Sequence, residues 1–85
     1  MGKHEKLVQK ILSGRQDTSV DFYEAVTLLQ ALGFSVRIRG SHHIFDQEGI
    51  DEIINIQPEG SKAKAYQVKQ IRDLMVKYQM GVEDE

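Results

Sequence analysis

The chain contains no cysteine. That absence excludes a disulfide framework and any metal site built on thiolates. No apolar run approaches the roughly 20 residues that a membrane-crossing helix requires. The first residues lack the charged-then-apolar pattern of a secretory signal, and Lys6 stands where a myristoylation signal has serine or threonine. A cytoplasmic protein without membrane attachment is therefore expected. Low-complexity linkers and internal repeats are also missing, and 85 residues leave room for one core but not two. Residues 1–80 are read as a single domain, and the acidic tail at 81–85 as frayed.

What is present is globular in composition, with 40% hydrophobic and 28% charged residues. The net charge is only −2, but the charges are unevenly placed. Between Asp46 and Glu59 there are five acids and no base, and residues 83–85 are all acidic. Arg37 and Arg39 precede that block. Lys62, Lys64, Lys69, Arg72 and Lys77 follow it, interrupted only by Asp73. A polyanion meets local charge rather than the sum, so one face is expected to attract phosphate.

The segment EKLVQKILSG sets Leu7, Val8, Ile11 and Leu12 on one stripe and stops at Gly14, which predicts a short amphipathic helix. Next, RQDTS offers Asp17, Thr18 and Ser19 as caps for a second helix starting at Ser19. Its inward residues are Phe22, Ala25, Val26, Leu29 and Leu32, and Gly33 ends it. Beyond Gly33 the period falls from 3.6 to 2. Val36 and Ile38 alternate with Ser35, Arg37 and Arg39, then Gly40-Ser41 reads as a turn. HHIFD is a second strand, and the isoleucine-rich IDEIINIQ a third that Pro58 closes. EGSKAKA reads as a loop. Val68, Ile71, Leu74, Met75 and Tyr78 predict a last helix ending at Gly81. The expected fold is α+β, in the order α-α-β-β-β-α: a three-stranded antiparallel sheet with helices on one face. The other face is left to meet a ligand.

The element with chemical promise is RIRGSHHIF. Successive strand residues point to opposite faces, so His42 and His43 cannot both be inside or both outside. An imidazole can take and give a proton around neutral pH. RNA can be cleaved without a metal by a base that removes the 2′-hydroxyl proton, cations that steady the phosphate, and an acid for the leaving oxygen. Arg37 and Arg39 lie within cross-strand reach of the histidines, and the Gly40-Ser41 backbone can bind a phosphate oxygen. The plainer account is an ordinary polar strand pair beside charges that keep an edge soluble. Lys62, Lys64, Lys69 and Arg72 either grip backbone phosphates or form a solvated helix face. Tyr66 either stacks on a base or anchors packing. Asp46, Glu48, Asp51 and Glu52 gather at a turn without calcium-loop spacing, and His4 is remote from the other histidines, so no metal or other cofactor is expected.

At GFSVRIRGSHHIF the chain resembles the HicA toxins of bacterial toxin–antitoxin pairs: a helix ending in Gly-Phe, a strand, then Arg-x-x-Gly-Ser-His-His and an aromatic. INIQP and the helix YQVKQIRDLMVKY are similar to that family's third strand and closing helix, so the resemblance spans roughly residues 22–78. It implies a fold like a double-stranded-RNA-binding domain. It also implies a ribosome-independent mRNA endonuclease neutralised by a HicB antitoxin. The family's catalytic histidine follows Gly-Ser, which maps to His42, with His43 open as the alternative. Gly40 matches the glycine that shapes the turn. The basic residues match only as a general surface.

Two departures stand out. The short family members begin near the second helix, so residues 1–17 are an extension and 18–80 the core. The extension's apolar stripe needs a cover: the sheet edge, a second copy of the chain in a homodimer, or the antitoxin. The family's third strand is often followed by Pro-x-His, whereas QPEGSKAKA has no histidine. If a histidine there shares the acid–base work, Lys62 or Lys64 would have to substitute, or activity would be reduced. The expected function is a metal-independent mRNA endonuclease. The alternative is a module of the same fold that binds RNA or protein without cutting.

Overall fold

Leu7, Val8 and Ile11 do fall on one side of a helix, α1 (Glu5–Ser13), in the computed structural model, which describes residues 4–80. Two more helices, α2 (Phe22–Ala31) and α3 (Ala65–Lys77), flank a sheet of β1 (Ser35–Arg39), β2 (His42–Gln47) and β3 (Ile50–Ile56). The strands run antiparallel in the order β1-β2-β3. All three helices lie on one face of this sheet, so the α+β order α-α-β-β-β-α is as the sequence predicts. Among the described residues no helix is long and apolar enough to cross a membrane.

The core forms where helix stripes meet the inward residues of the strands. Phe45, Ile54 and Ile56 are buried from the sheet, against Leu28 and Leu29 of α2 and Val68, Ile71 and Met75 of α3. Fully burying a side chain of this size contributes roughly 1.5–3 kcal/mol. Ile11 of α1 is also fully buried. Leu7 and Val8 are partly buried against the same core, whereas Leu12, expected on this stripe, is 45% exposed.

Arg72 holds α1 in place. Its guanidinium contacts both carboxylate oxygens of Asp17 at 2.9 and 3.2 Å and donates to the Ile11 carbonyl at 3.1 Å. That carbonyl belongs to the last turn of α1 and also accepts from the Gly14 N–H at 3.3 Å. The Asp17 contact raises the Arg72 guanidinium further above its already high pKa. Asp17 is thus engaged in a 3-10 turn, Asp17–Ser19, instead of capping a helix. The second helix accordingly starts at Phe22 and not at Ser19. Asp21 is its cap, and Glu24 accepts from the Asp21 N–H at 3.0 Å.

Two other boundaries differ from the sequence reading. EGSKAKA is not a plain loop: β4 (Pro58–Glu59) and β5 (Lys62–Ala63) form a small hairpin. It is zipped to the entrance of α2 by Ala63 N–H to Val20 C=O and Phe22 N–H to Ser61 C=O, both 2.9 Å. Proline fits there because it opens a strand whose first N–H is dispensable. α3 ends at Lys77 with Tyr78 as its C-cap, before the expected Gly81, which lies outside the described residues. Gln79 takes the left-handed position at φ +53°, and Met80 N–H closes onto Met75 C=O at 2.9 Å.

The far end of α3 is tied to β3 through Glu52, which accepts from Lys77 Nζ and from the Tyr78 hydroxyl, each at 2.6 Å. The hydrogen bond from Lys77, then that from Tyr78, holds the Glu52 carboxyl below the ordinary 4.5 of a glutamate. A depressed carboxylate pKa stabilises the fold above the ordinary value and ceases to do so as pH falls through the native one. Glu52→Gln is therefore expected to melt earlier than wild type near neutral pH. Thermal melts followed by circular dichroism should show that gap closing well below pH 4.5. A gap that persists in acid would assign the difference to packing.

Candidate functional site

The β1–β2 hairpin turns on Gly40-Ser41, with Arg39 directly opposite His42. Gly40 has φ +61° and Ser41 is not among the residues of positive φ. A glycine first and an ordinary residue second is the type II′ pattern, whose twist suits a two-residue hairpin. A Cβ on Gly40 would meet nothing within 4 Å, so backbone conformation, not crowding, calls for glycine here.

From this turn the parity of the strands sorts the histidines. His43 opposes Ile38 and Ile56 on the helix side. Its ring meets Phe22 edge-on, with centroids 4.9 Å apart. Its Nδ1 is buried without a hydrogen-bond partner among the described residues. His42 is exposed on the outer face with Arg37, Arg39 and Ile44. Its Nδ1 lies 3.0 Å from Asn55 Oδ1. An amide oxygen can only accept, so Nδ1 donates in this bond, and in the neutral ring the lone pair then sits on Nε2.

The cations divide into engaged and free. Lys62 binds Asp21 at 2.7 Å and holds that carboxyl below its ordinary pKa. Lys69 binds Asp73 at 3.1 Å. Arg72 has a side chain only 17% exposed in its pair with Asp17. Arg37 approaches Asp46 at 3.6 Å, too far for a hydrogen bond. Arg39 and Lys64 have no ion pair among the described residues. Of the expected basic surface, the hairpin arginines stand on the face of His42, whereas Arg72 turns to α1. Among the described residues no three His, Cys, Asp or Glu side chains converge as a metal site.

Next to His42, at the margin of β3, a cleft of about 260 Å³ is lined by His42, Ile53, Asn55, Gln57, Tyr66, Gln67 and Gln70. Gln67 builds its floor. This amide is 1% exposed. It accepts from the N–H groups of Gln57 and Lys64 and donates to the Asn55 carbonyl, at 3.3–3.4 Å. It thereby serves groups on the free edge of β3 and on the approach to α3. Neither Asn55 nor Gln67 stood out as functional in the sequence. A signal for Gln67 existed: it lies four residues before Ile71 and seven before Leu74, a polar residue on an apolar stripe.

This is a small α+β domain that presents one imidazole, with guanidinium neighbours, on the open face of a sheet. A family model for the HicA toxin of bacterial toxin–antitoxin matches residues 22–80. The chain belongs to that family, and membership implies an antitoxin partner. α1 falls outside the match. Comparison with curated proteins and with solved structures gives no significant match.

Gln67→Leu keeps the side-chain size but strands a carbonyl and two N–H groups. It is expected to lower the unfolding free energy by about 1–3 kcal/mol, measured by urea denaturation. A loss below about 0.5 kcal/mol would mean that water serves those groups as well as the amide does.

Proposed function

We propose that the chain is a toxin that cuts mRNA independently of the ribosome, with His42 transferring the proton and a HicB-like antitoxin as its neutralising partner. The observation that carries this reading is the outward His42 imidazole, oriented by Asn55 and facing Arg39 across the turn. It stands where the Gly-Ser-His motif of the family has its catalytic histidine. His43, packed under α2 against Phe22, is the less suited of the pair.

In this mechanism Nε2 of His42 takes the proton of a ribose 2′-hydroxyl. The 2′-oxygen attacks phosphorus and the bond from phosphorus to the 5′-oxygen breaks. The departing oxygen takes a proton from solvent, leaving a 2′,3′-cyclic phosphate and a 5′-hydroxyl. Arg37, Arg39 and the backbone of Gly40-Ser41 offset the charge that builds on the phosphoryl oxygens. Lys64 is a further source of positive charge. Lys62, Lys69 and Arg72 serve chiefly through their ion pairs within the fold. A metal ion takes no part in the proposed steps.

One observation favours a second reading, a module that holds RNA without cutting it: a single imidazole reaches the outer face, and no histidine follows β3.

The test is cleavage of mRNA by purified protein in EDTA. Wild type and His43→Ala are expected to cut. His42→Ala is expected to be slower by about 10²–10⁴-fold, the usual worth of a general acid–base group. Undiminished cutting by His42→Ala would remove the mechanism, and RNA left intact by wild type would favour the second reading. Arg39→Ala should flatten the dependence of log affinity on log salt by about 0.7, one single-strand phosphate contact. An unchanged slope would take Arg39 out of the interface.

A further inference from the structure

The cleft beside His42 differs from its surroundings in charge. Its lining holds no carboxylate, ammonium or guanidinium: apart from His42 and Ile53 it consists of amides and one tyrosine. A second cleft adjoins it along the margin of β3 and shares Ile53 and Gln70 with it. That neighbour carries Glu52, Asp73 and Lys77, with Glu52 paired to Lys77 and Asp73 to Lys69. A phosphate would be poorly received in either, since neither an uncharged wall nor one whose charges are already paired repays its desolvation. The unpaired guanidinium of Arg39 lies instead on the β1 side of His42.

We propose that this cleft is the seat of one unpaired nucleobase next to the scissile phosphate, and that it sets where the RNA is cut. The inference rests on the nuclease reading above and adds to it what the substrate must present. Sequence-specific recognition of RNA acts mainly on unstacked bases, which stack on aromatic rings and hydrogen-bond along their edges. The cleft supplies both means. Tyr66, 58% exposed on the first turn of α3, offers a ring face to solvent without serving as a packing anchor. Gln57 and Gln70 offer amides that donate and accept, the chemistry that reads a base edge with both kinds of group. The Gln67 amide is spent on backbone groups, and Asn55 on His42. At about 260 Å³ the space falls just below the ~300–1,000 Å³ of sites for drug-sized ligands, and so suits a fragment such as one base. With the base seated there and its phosphate toward Arg39, the ribose bridges the two across His42. A paired base cannot enter, so the substrate is single-stranded.

The test uses binding, so that it does not depend on cutting. Short oligonucleotides of A, C, G or U, made uncleavable by 2′-O-methylation, are titrated into wild-type protein and the variants Tyr66→Ala and Gln70→Leu. Fluorescence anisotropy gives the affinities. Wild type is expected to rank the four bases, with the best and worst at least about tenfold apart. Tyr66→Ala should lose roughly 5- to 100-fold for the best base, as one stacked base is worth. Gln70→Leu should compress the ranking. Both side chains are exposed, and circular dichroism checks that the variants fold. Equal affinities for all four bases, or an unchanged ranking in both variants, would overturn the cleft. Ranked binding by a wild type that leaves cleavable RNA intact would keep the cleft and overturn the nuclease.

Discussion

Helices cover one face of the three-stranded sheet and leave the other open, and the two-residue period of a strand turns that asymmetry into a sorting rule. Phe45 and Ile54 must go inward, because they are what the helices pack against. Once Phe45 is fixed, His43 lies on its side of the sheet and His42 on the other. A register slip by one residue would exchange the two rings and also push Phe45 into water. The same apolar contacts that stabilise the domain therefore hold the imidazole in solvent, and stability and candidate chemistry share one cause.

Ion pairing divides the cations in a similar way. Those on α3 and β5 meet carboxylates, Arg72 with Asp17 and Lys77 with Glu52 across the fold and Lys69 with Asp73 along its own helix. The exposed pairs among these contribute little individually, but together the pairs neutralise charge on the helix side. The guanidinium of Arg39 meets no such partner among the described residues and stands opposite His42. A chain with a net charge of −2 can thus still present positive charge on its open face.

The alternating strands and the stripes of the helices were legible in the sequence, and with them the layered α+β fold and the separation of His42 from His43. What could not be read depended on meetings across long stretches of chain. Asn55, which reaches His42, stands opposite Ile44 because β3 pairs with β2 in a register that shifts between Phe45 and Gln47. Alternation alone does not reveal such a shift. Arg72 shares a helix face with Lys69, but its partner Asp17 lies 55 residues away. Three capping residues in a row left the start of α2 ambiguous, and the capping box with Glu24 decides it in favour of Asp21. The Gly-Ser-His-His element was visible as a motif, whereas the amides beside it became a cleft only when α3 met the margin of β3.

The buried Gln67 amide has one more consequence. A sheet of three strands has two bare margins, and a bare margin is a template on which another chain can add a strand. At the C-terminal end of β3, backbone groups that would accept such a strand are already occupied by this side chain. Along β1, the guanidinium groups of Arg37 and Arg39 on copies of the chain would repel one another at close approach. The architecture thus resists edge-to-edge fibril growth while its outer face remains uncovered.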